Sequence, residues 1–95
     1  MHAVLVELEL KVDPAQTDEA IKFLRETVVP MISQGAGFVS GTWMRSADGT
    51  RTRSLILYAD EAAAKAAAGR AAEGPPPGAP TRFVSAEVFE VMAQA

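Results

Sequence analysis

Apolar residues at every second position from Val4 to Val12 constrain the fold of this chain more than any other feature. Val4, Val6, Leu8, Leu10 and Val12 follow the two-residue period of a pleated strand with one buried face. The strand is expected over about His2 to Val12. Ala3, Leu5, Glu7, Glu9 and Lys11 then occupy a mixed opposite face that suits water, a polar cavity or a partner subunit.

The period changes after Val12. Asp13 is placed to cap a helix, Pro14 suits the first helical position and Gln16 completes a capping box. Ile21, Leu24, Val28 and Ile32 recur at spacings of three and four, the stripe of an amphipathic helix. Pro30 has no N–H and its ring opposes the carbonyl four residues back, so a kink or split is expected between Glu26 and Pro30. Gly35 and Gly37 supply the stop.

Two strands follow, Phe38 to Arg45 and Thr50 to Tyr58, joined through Asp48-Gly49. That pair favours a two-residue type I′ turn, in which both central residues need positive φ. The turn sets Trp43 opposite Ser54 and Arg45 opposite Thr52. It also groups Phe38, Thr42, Met44, Arg53, Leu55 and Leu57 on one face, against Val39, Trp43, Arg45, Ser54, Ile56 and Tyr58 on the other. Asp60 caps a second, alanine-rich helix from Glu61 to about Ala72, and Gly74 to Pro80 reads as an exposed proline-rich loop. The last strand, Arg82 to Met92, alternates Phe83, Glu87, Phe89 and Val91 with Val84, Ala86, Val88 and Met92. The βαββαβ order is the split βαβ, or ferredoxin-like, α+β arrangement with a four-stranded antiparallel sheet.

A length of 95 residues with 48% hydrophobic and 22% charged side chains suits one packed domain spanning 1–95. Cysteine is absent, which removes disulfides, thiolate metal sites and cysteine nucleophiles and fits a cytoplasmic setting. A net charge of −3 offers no broad positive field, so nucleic acid is not expected as a partner. No stretch approaches the roughly 20 apolar residues that cross a bilayer, and the first residues run straight into alternation, so neither membrane insertion nor export is expected. Both sheet faces carry large apolar groups, yet two helices cover one face only. A second copy covering the other makes a homodimer the expected assembly.

The chain resembles the dimeric α+β-barrel superfamily, and within it the antibiotic-biosynthesis-monooxygenase-like domains. The residues that carry the likeness are Val28-Val29-Pro30, Gly35-Ala36-Gly37-Phe38-Val39-Ser40-Gly41, Asp48-Gly49 and Tyr58-Ala59-Asp60-Glu61-Ala62, set in the βαββαβ order. The resemblance implies a homodimer whose two sheets face each other and enclose ligand cavities. Its members include cofactor-independent monooxygenases of aromatic or quinol-like substrates, haem-degrading enzymes and isomerases. This chain has no asparagine, which the haem-degrading branch and several cofactor-free oxygenase branches use near the cofactor or substrate, and its one histidine, His2, stands at the start of the first strand. Haem is therefore not expected, nor any other cofactor or metal.

Trp43, Arg45 and Tyr58 share a predicted face with Ser54 and Thr52 between them, a face that suits a small aromatic ligand. Trp43 and Ser54 would contact the ring system and Arg45 would hold a phenolate or carboxylate by a forked ion pair. The Tyr58 hydroxyl would donate or relay a proton, making Arg45 and Tyr58 the catalytic candidates. The ordinary alternative has Trp43 and Tyr58 burying apolar surface at a dimer interface and Arg45 in solvent. Glu7 and Glu9 offer a general base for an isomerase or lyase if one is buried with a raised pKa; pairing with Arg51 or Arg53 is the plainer expectation. His2 alone makes no metal site and is expected to face solvent. Gly35, Gly37 and Gly41 lack the spacing of a phosphate loop, and the serines lack a neighbouring histidine in the pattern. A dimeric module that binds a metabolite or protein without catalysis is the competing function.

Overall fold

A computed structural model describes residues 1–11, 16–75 and 80–95. Strand β1 spans His2–Leu10; helix α1, Thr17–Phe23, runs through a π turn, Leu24–Val28, into α2, Val29–Ser33. Then come β2 Phe38–Arg45, β3 Arg51–Tyr58, α3 Glu61–Ala72 and β4 Thr81–Glu90. The strands form one antiparallel sheet in the order β2-β3-β1-β4. This is the expected α+β, ferredoxin-like layer.

Both helical stretches pack on the same sheet face. The alanines Ala63, Ala64, Ala67 and Ala68 of α3 and Ile32 of α2 close over Val4, Ile56 and Tyr58. Small side chains let α3 lie close to the sheet, and Gly37 extends that economy: a Cβ there would stand 2.7 Å from the Ala63 Cβ, and its φ is +76°. Asp60 caps α3 as expected, its carboxylate accepting the Ala63 N–H at 2.8 Å. Pro30 splits the first helix as expected. Val29 N–H reaches back to the Leu24 carbonyl, a five-residue step that widens the turn and opens room for a ring that cannot donate. Val12, Asp13 and Pro14, with the capping box assigned to Asp13 and Gln16, involve positions outside the described residues, as does 76–79 in the proline-rich loop.

The hairpin departs from expectation in its turn but not in its register. Trp43 pairs with Ser54 and Arg45 with Thr52, as the sequence predicts. The connection is a longer loop in which only Gly49 has positive φ, so it is not type I′. Asp48 holds it instead: one carboxylate oxygen accepts the Ser46 hydroxyl at 2.7 Å, the Thr50 hydroxyl at 2.7 Å and the Thr50 N–H at 3.0 Å. Those donors, the Thr50 amide foremost, pull the Asp48 pKa from 3.8 down to about 2. A depressed carboxylate adds stability that is complete above its unfolded pKa and lost as pH falls through its folded one. Between about pH 4 and pH 2 the hairpin should therefore loosen in the wild type, and Asp48→Asn should remove this pH dependence. Amide exchange of 46–51 followed across that window is the check.

Two irregularities correct the face assignments. The β2–β3 register shifts between Phe38 and Ser40, so Phe38 joins Tyr58 on the helix-covered face rather than Leu55 and Leu57. The β1–β4 register shifts between Glu7 and Leu8, so Phe83 pairs with Leu8 and leaves the face of Glu87 and Phe89. Each strand carries one extra residue at these points, Val39 and Val84, and a β-bulge of one residue reverses the alternation beyond it.

Candidate functional site

The helix-covered face is filled unevenly along the strands. At one end Val4, Ile56, Tyr58 and Ala64 are buried. Toward the other, Leu8, Leu10, Thr52 and Trp43 are half-buried and Arg45 is exposed; so too Ile21, Leu24 and Val28 of the first helical stretch are only half-buried. That stretch makes its close approach to the sheet through α2, against β2. The apolar stripe that the sequence assigns to the core thus splits. Ile32 joins the sealed core, while Ile21, before the π turn, and Leu24 and Val28, within it, do not.

The candidate residues fall into cross-strand rows. One row is Ala86, Val6, Ser54 and Trp43; the next is Phe83, Leu8, Thr52 and Arg45. Ser54 is 8% exposed, a hydroxyl set between Val6 and Trp43 in the sheet. Trp43 folds back along its own strand: a Cβ on Gly41 would lie 2.6 Å from its Cη2. The absence of a side chain at Gly41 thus lets the indole lie against the sheet, where it packs on the core. Trp43 and Ser54 are brought together on the side that the helices cover, while Arg45, in the next row, is exposed and lines a hollow at the sheet edge. Trp43 and Tyr58 thus pack in the chain's own core rather than on the open face, while Arg45 is exposed, as the alternative of a dimer interface has it.

Tyr58 belongs elsewhere. It sits in the row of His2 and Phe38, six residues along β3 from Thr52, or about 20 Å at the rise of a strand. It is 3% exposed and meets Phe38 edge to face with ring centroids 6.5 Å apart. Burial pushes its phenol above the ordinary value of 10.0, partly offset by the guanidinium of Arg70. Sharing a face did not bring Tyr58 near Arg45. Its polar partner, Arg70, stands on α3, and no spacing in the sequence announces that pairing.

The acidic candidates are tied down. Glu7 accepts from Arg53 at 2.7 Å, one of the two expected partners. Glu9 accepts from Arg82 at 2.6 Å, not from Arg51 or Arg53, and that guanidinium holds its carboxyl below the ordinary range. A base at Glu9 would need the opposite shift. His2 is not solvent-facing as expected: its side chain is 20% exposed and its Nε2 lies 3.3 Å from Glu61 Oε2, tying the start of β1 to the first turn of α3. Glu61 is held below its ordinary value chiefly by Lys65, with His2 contributing. Among the described residues no group of acidic and histidine side chains is arranged to hold a metal ion, and no helix is long and apolar enough to cross a membrane.

Two shallow hollows mark the surface. One of about 380 Å³ runs beside Asp18, Ile21, Lys22, Arg25 and Glu26. Another of about 370 Å³ lies at the hairpin end, among Met44, Arg45, Ser46, Arg51 and Arg53.

The architecture recurs in solved structures. HapK from Hahella chejuensis superposes with a TM-score of 0.68 at 15% identity, over 100% of this chain and 96% of that one. The heme-degrader MhuD from Mycobacterium tuberculosis, with two hemes bound in its active site, gives 0.65 at 18% identity over 97% and 98%. A monooxygenase from the gene ActVA-Orf6 of Streptomyces coelicolor, in complex with nanaomycin D, gives 0.59 at 22% identity over 98% and 89%. At such identities the likeness shows the fold alone. No protein-family model matches the sequence, and no curated protein matches it.

Proposed function

We propose that this chain uses its shared fold to bind a small aromatic, ionisable molecule between the first helical stretch and the sheet, and that it works as a homodimer. The observation that carries this reading is the incomplete burial of the side chains on these two layers. Ile21, Leu24 and Val28 on the helix and Leu8, Thr52 and Trp43 on the sheet remain half-buried, although the same layer is sealed only a few residues away. Apolar walls with a few polar groups are the usual lining of a small-molecule site. Trp43 offers a ring to stack on, Ser54 a hydroxyl, and Arg45, at the margin, a forked cation for a phenolate.

The reaction that this arrangement suits is cofactor-independent oxygenation of an aromatic or quinol-like substrate. An acidic methylene or phenol, ionised with help from Arg45, is itself the reductant of O2. A ring methylene loses two hydrogens and gains one oxygen atom, while the second oxygen leaves as water. The protein's part is to favour the anion and keep water out. A second reading, binding without catalysis, is favoured by the position of Tyr58, which is too far from Arg45 to serve the same small ligand. Haem does not fit these residues: His2, the one imidazole, is engaged with Glu61 at the far end of the layer, and the chain lacks asparagine. The isomerase reading is weakened by the ion pairs that hold Glu7 and Glu9.

Trp43 is the only tryptophan, so fluorescence excited selectively in the indole band reports this site and not Tyr58. Titration with a panel of anthrones and quinols should quench it saturably. Arg45→Ala should weaken the ionised ligands by about 10-fold or more, the worth of a charge-assisted hydrogen bond. Oxygen uptake with a quenching ligand would establish the oxygenase; quenching without uptake would leave the binding module. A panel that neither quenches nor consumes oxygen would remove both.

A further inference from the structure

The hollow at the hairpin end gathers three of the chain's arginines for reasons visible in the sheet. Arg51 and Arg53 stand two residues apart on β3 and therefore share the face that no helix covers. Arg45 belongs to the opposite face, but β2 is the edge of the sheet, and its side chain lines the same hollow together with Met44 and Ser46. Arg53 is committed to Glu7 at 2.7 Å. Arg45 and Arg51 make no ion pair among the described residues. Two carboxylates stand near Arg51: Glu9, its cross-strand partner on β1, is held by Arg82 at 2.6 Å, and one oxygen of Asp48 accepts three hydrogen bonds within the turn. The same turn is braced by the Ser46 hydroxyl, which accepts the Arg51 N–H at 3.0 Å. The cations thus project from a rigid base.

We infer that the Met44–Arg45–Ser46–Arg51–Arg53 hollow is a binding site for a small organic carboxylate, with Arg45 and Arg51 gripping the carboxylate and the Met44 thioether facing its hydrocarbon part. Charge selects the ligand. Arg45, Arg51, Arg53 and Arg82 set against Glu7, Glu9 and Asp48 leave a local surplus of about one positive charge, which suits a monoanion. The net charge of −3 on the whole chain disfavours polyphosphates and nucleic acid. Planar forks match a carboxylate bidentately, and Met44, 45% exposed, supplies a soft apolar wall that inorganic anions cannot use. This site shares only Arg45 with the interlayer reading, and Arg51 lies on the other side of the sheet from Trp43.

Isothermal titration of the full chain with benzoate, and separately with inorganic phosphate, tests the assignment. Benzoate should saturate at about millimolar concentration or below and bind about 10-fold more tightly than phosphate. Arg51→Gln and Arg45→Gln should each weaken benzoate about 10-fold. Lys65→Gln, on α3 across the sheet from the hollow, should leave it unchanged. Arg51→Gln should also leave Trp43 quenching by aromatic ligands intact, which separates this site from the interlayer. The proposal is overturned if benzoate fails to saturate, if phosphate binds as tightly, or if Arg51→Gln binds benzoate as the wild type does.

Discussion

At micromolar concentration the chain should sediment at twice its 10.0 kDa mass, and Leu55→Asp should return it to a monomer with unchanged circular dichroism. The open sheet face is the reason. Leu5 pairs with Leu55, and Ala3 lies between Leu57 and Phe89, a continuous apolar centre with no helix above it. Leu55 is 40% exposed and Phe89 44%, values that isolated apolar side chains tolerate but that a contiguous sheet surface rarely keeps in water. The Glu7–Arg53 and Glu9–Arg82 pairs rim this centre, the pattern of an apolar patch bounded by charge. An aspartate at Leu55 is solvated in the monomer and costs the fold little. In the dimer it becomes an unpaired carboxylate taken out of water, a penalty of several kcal/mol. About 4 kcal/mol corresponds to about 1,000-fold weaker association. A wild type that remains monomeric at these concentrations would remove the dimer and leave the open face unexplained.

Gly37→Ala should be among the most damaging single changes, lowering stability by about 2–4 kcal/mol in urea unfolding. Two costs add. The backbone there has φ +76°, a conformation that costs an L-residue roughly 1–2 kcal/mol. The new Cβ would also stand 2.7 Å from the Ala63 Cβ, which requires α3 or the β2 corner to move, although Ala59 N–H is held on the Gly37 carbonyl at 2.8 Å. Gly49 provides the internal control. It has the same φ of +76° but nothing within 4 Å of a built Cβ, so Gly49→Ala isolates the backbone cost. Adding Ala63→Gly to Gly37→Ala should restore part of the loss by removing the contact. Equal losses at Gly37 and Gly49 would show that the close approach to α3 carries no energy.

What could be read before the structure was whatever depends on neighbours in sequence. The cap at Asp60, the break at Pro30 and the helix Glu61–Ala72 each follow from local chemistry, and each is found where expected. The Trp43–Ser54 register also emerged correctly, even though the turn that was to fix it has different geometry. Strand pairing along β2 and β3 supports that register independently of the turn. The bulges at Val39 and Val84 left no trace in the sequence, because a β-branched residue suits a regular strand as well as a bulged one. Only the pairing partner decides. For the site, alternation told which side chains share a face but not how far apart they lie on it. That is why Trp43 and Ser54 meet, with Arg45 in the next row, while Tyr58 lies apart. The arginine hollow was invisible for the complementary reason: it joins residues from opposite faces round an edge, which no periodicity connects.

The π turn at Leu24–Val28 divides the roof over the sheet into unequal tenants. Beyond it, α2 is anchored by Ile32 to the permanent interior; before it, α1 rests on side chains that have surrendered little of their contact with water. Lifting α1 would therefore disturb few contacts, and the anchored half would keep the interior dry meanwhile. A ligand bound beneath α1, as proposed, would be received at one end of the molecule with the other left undisturbed.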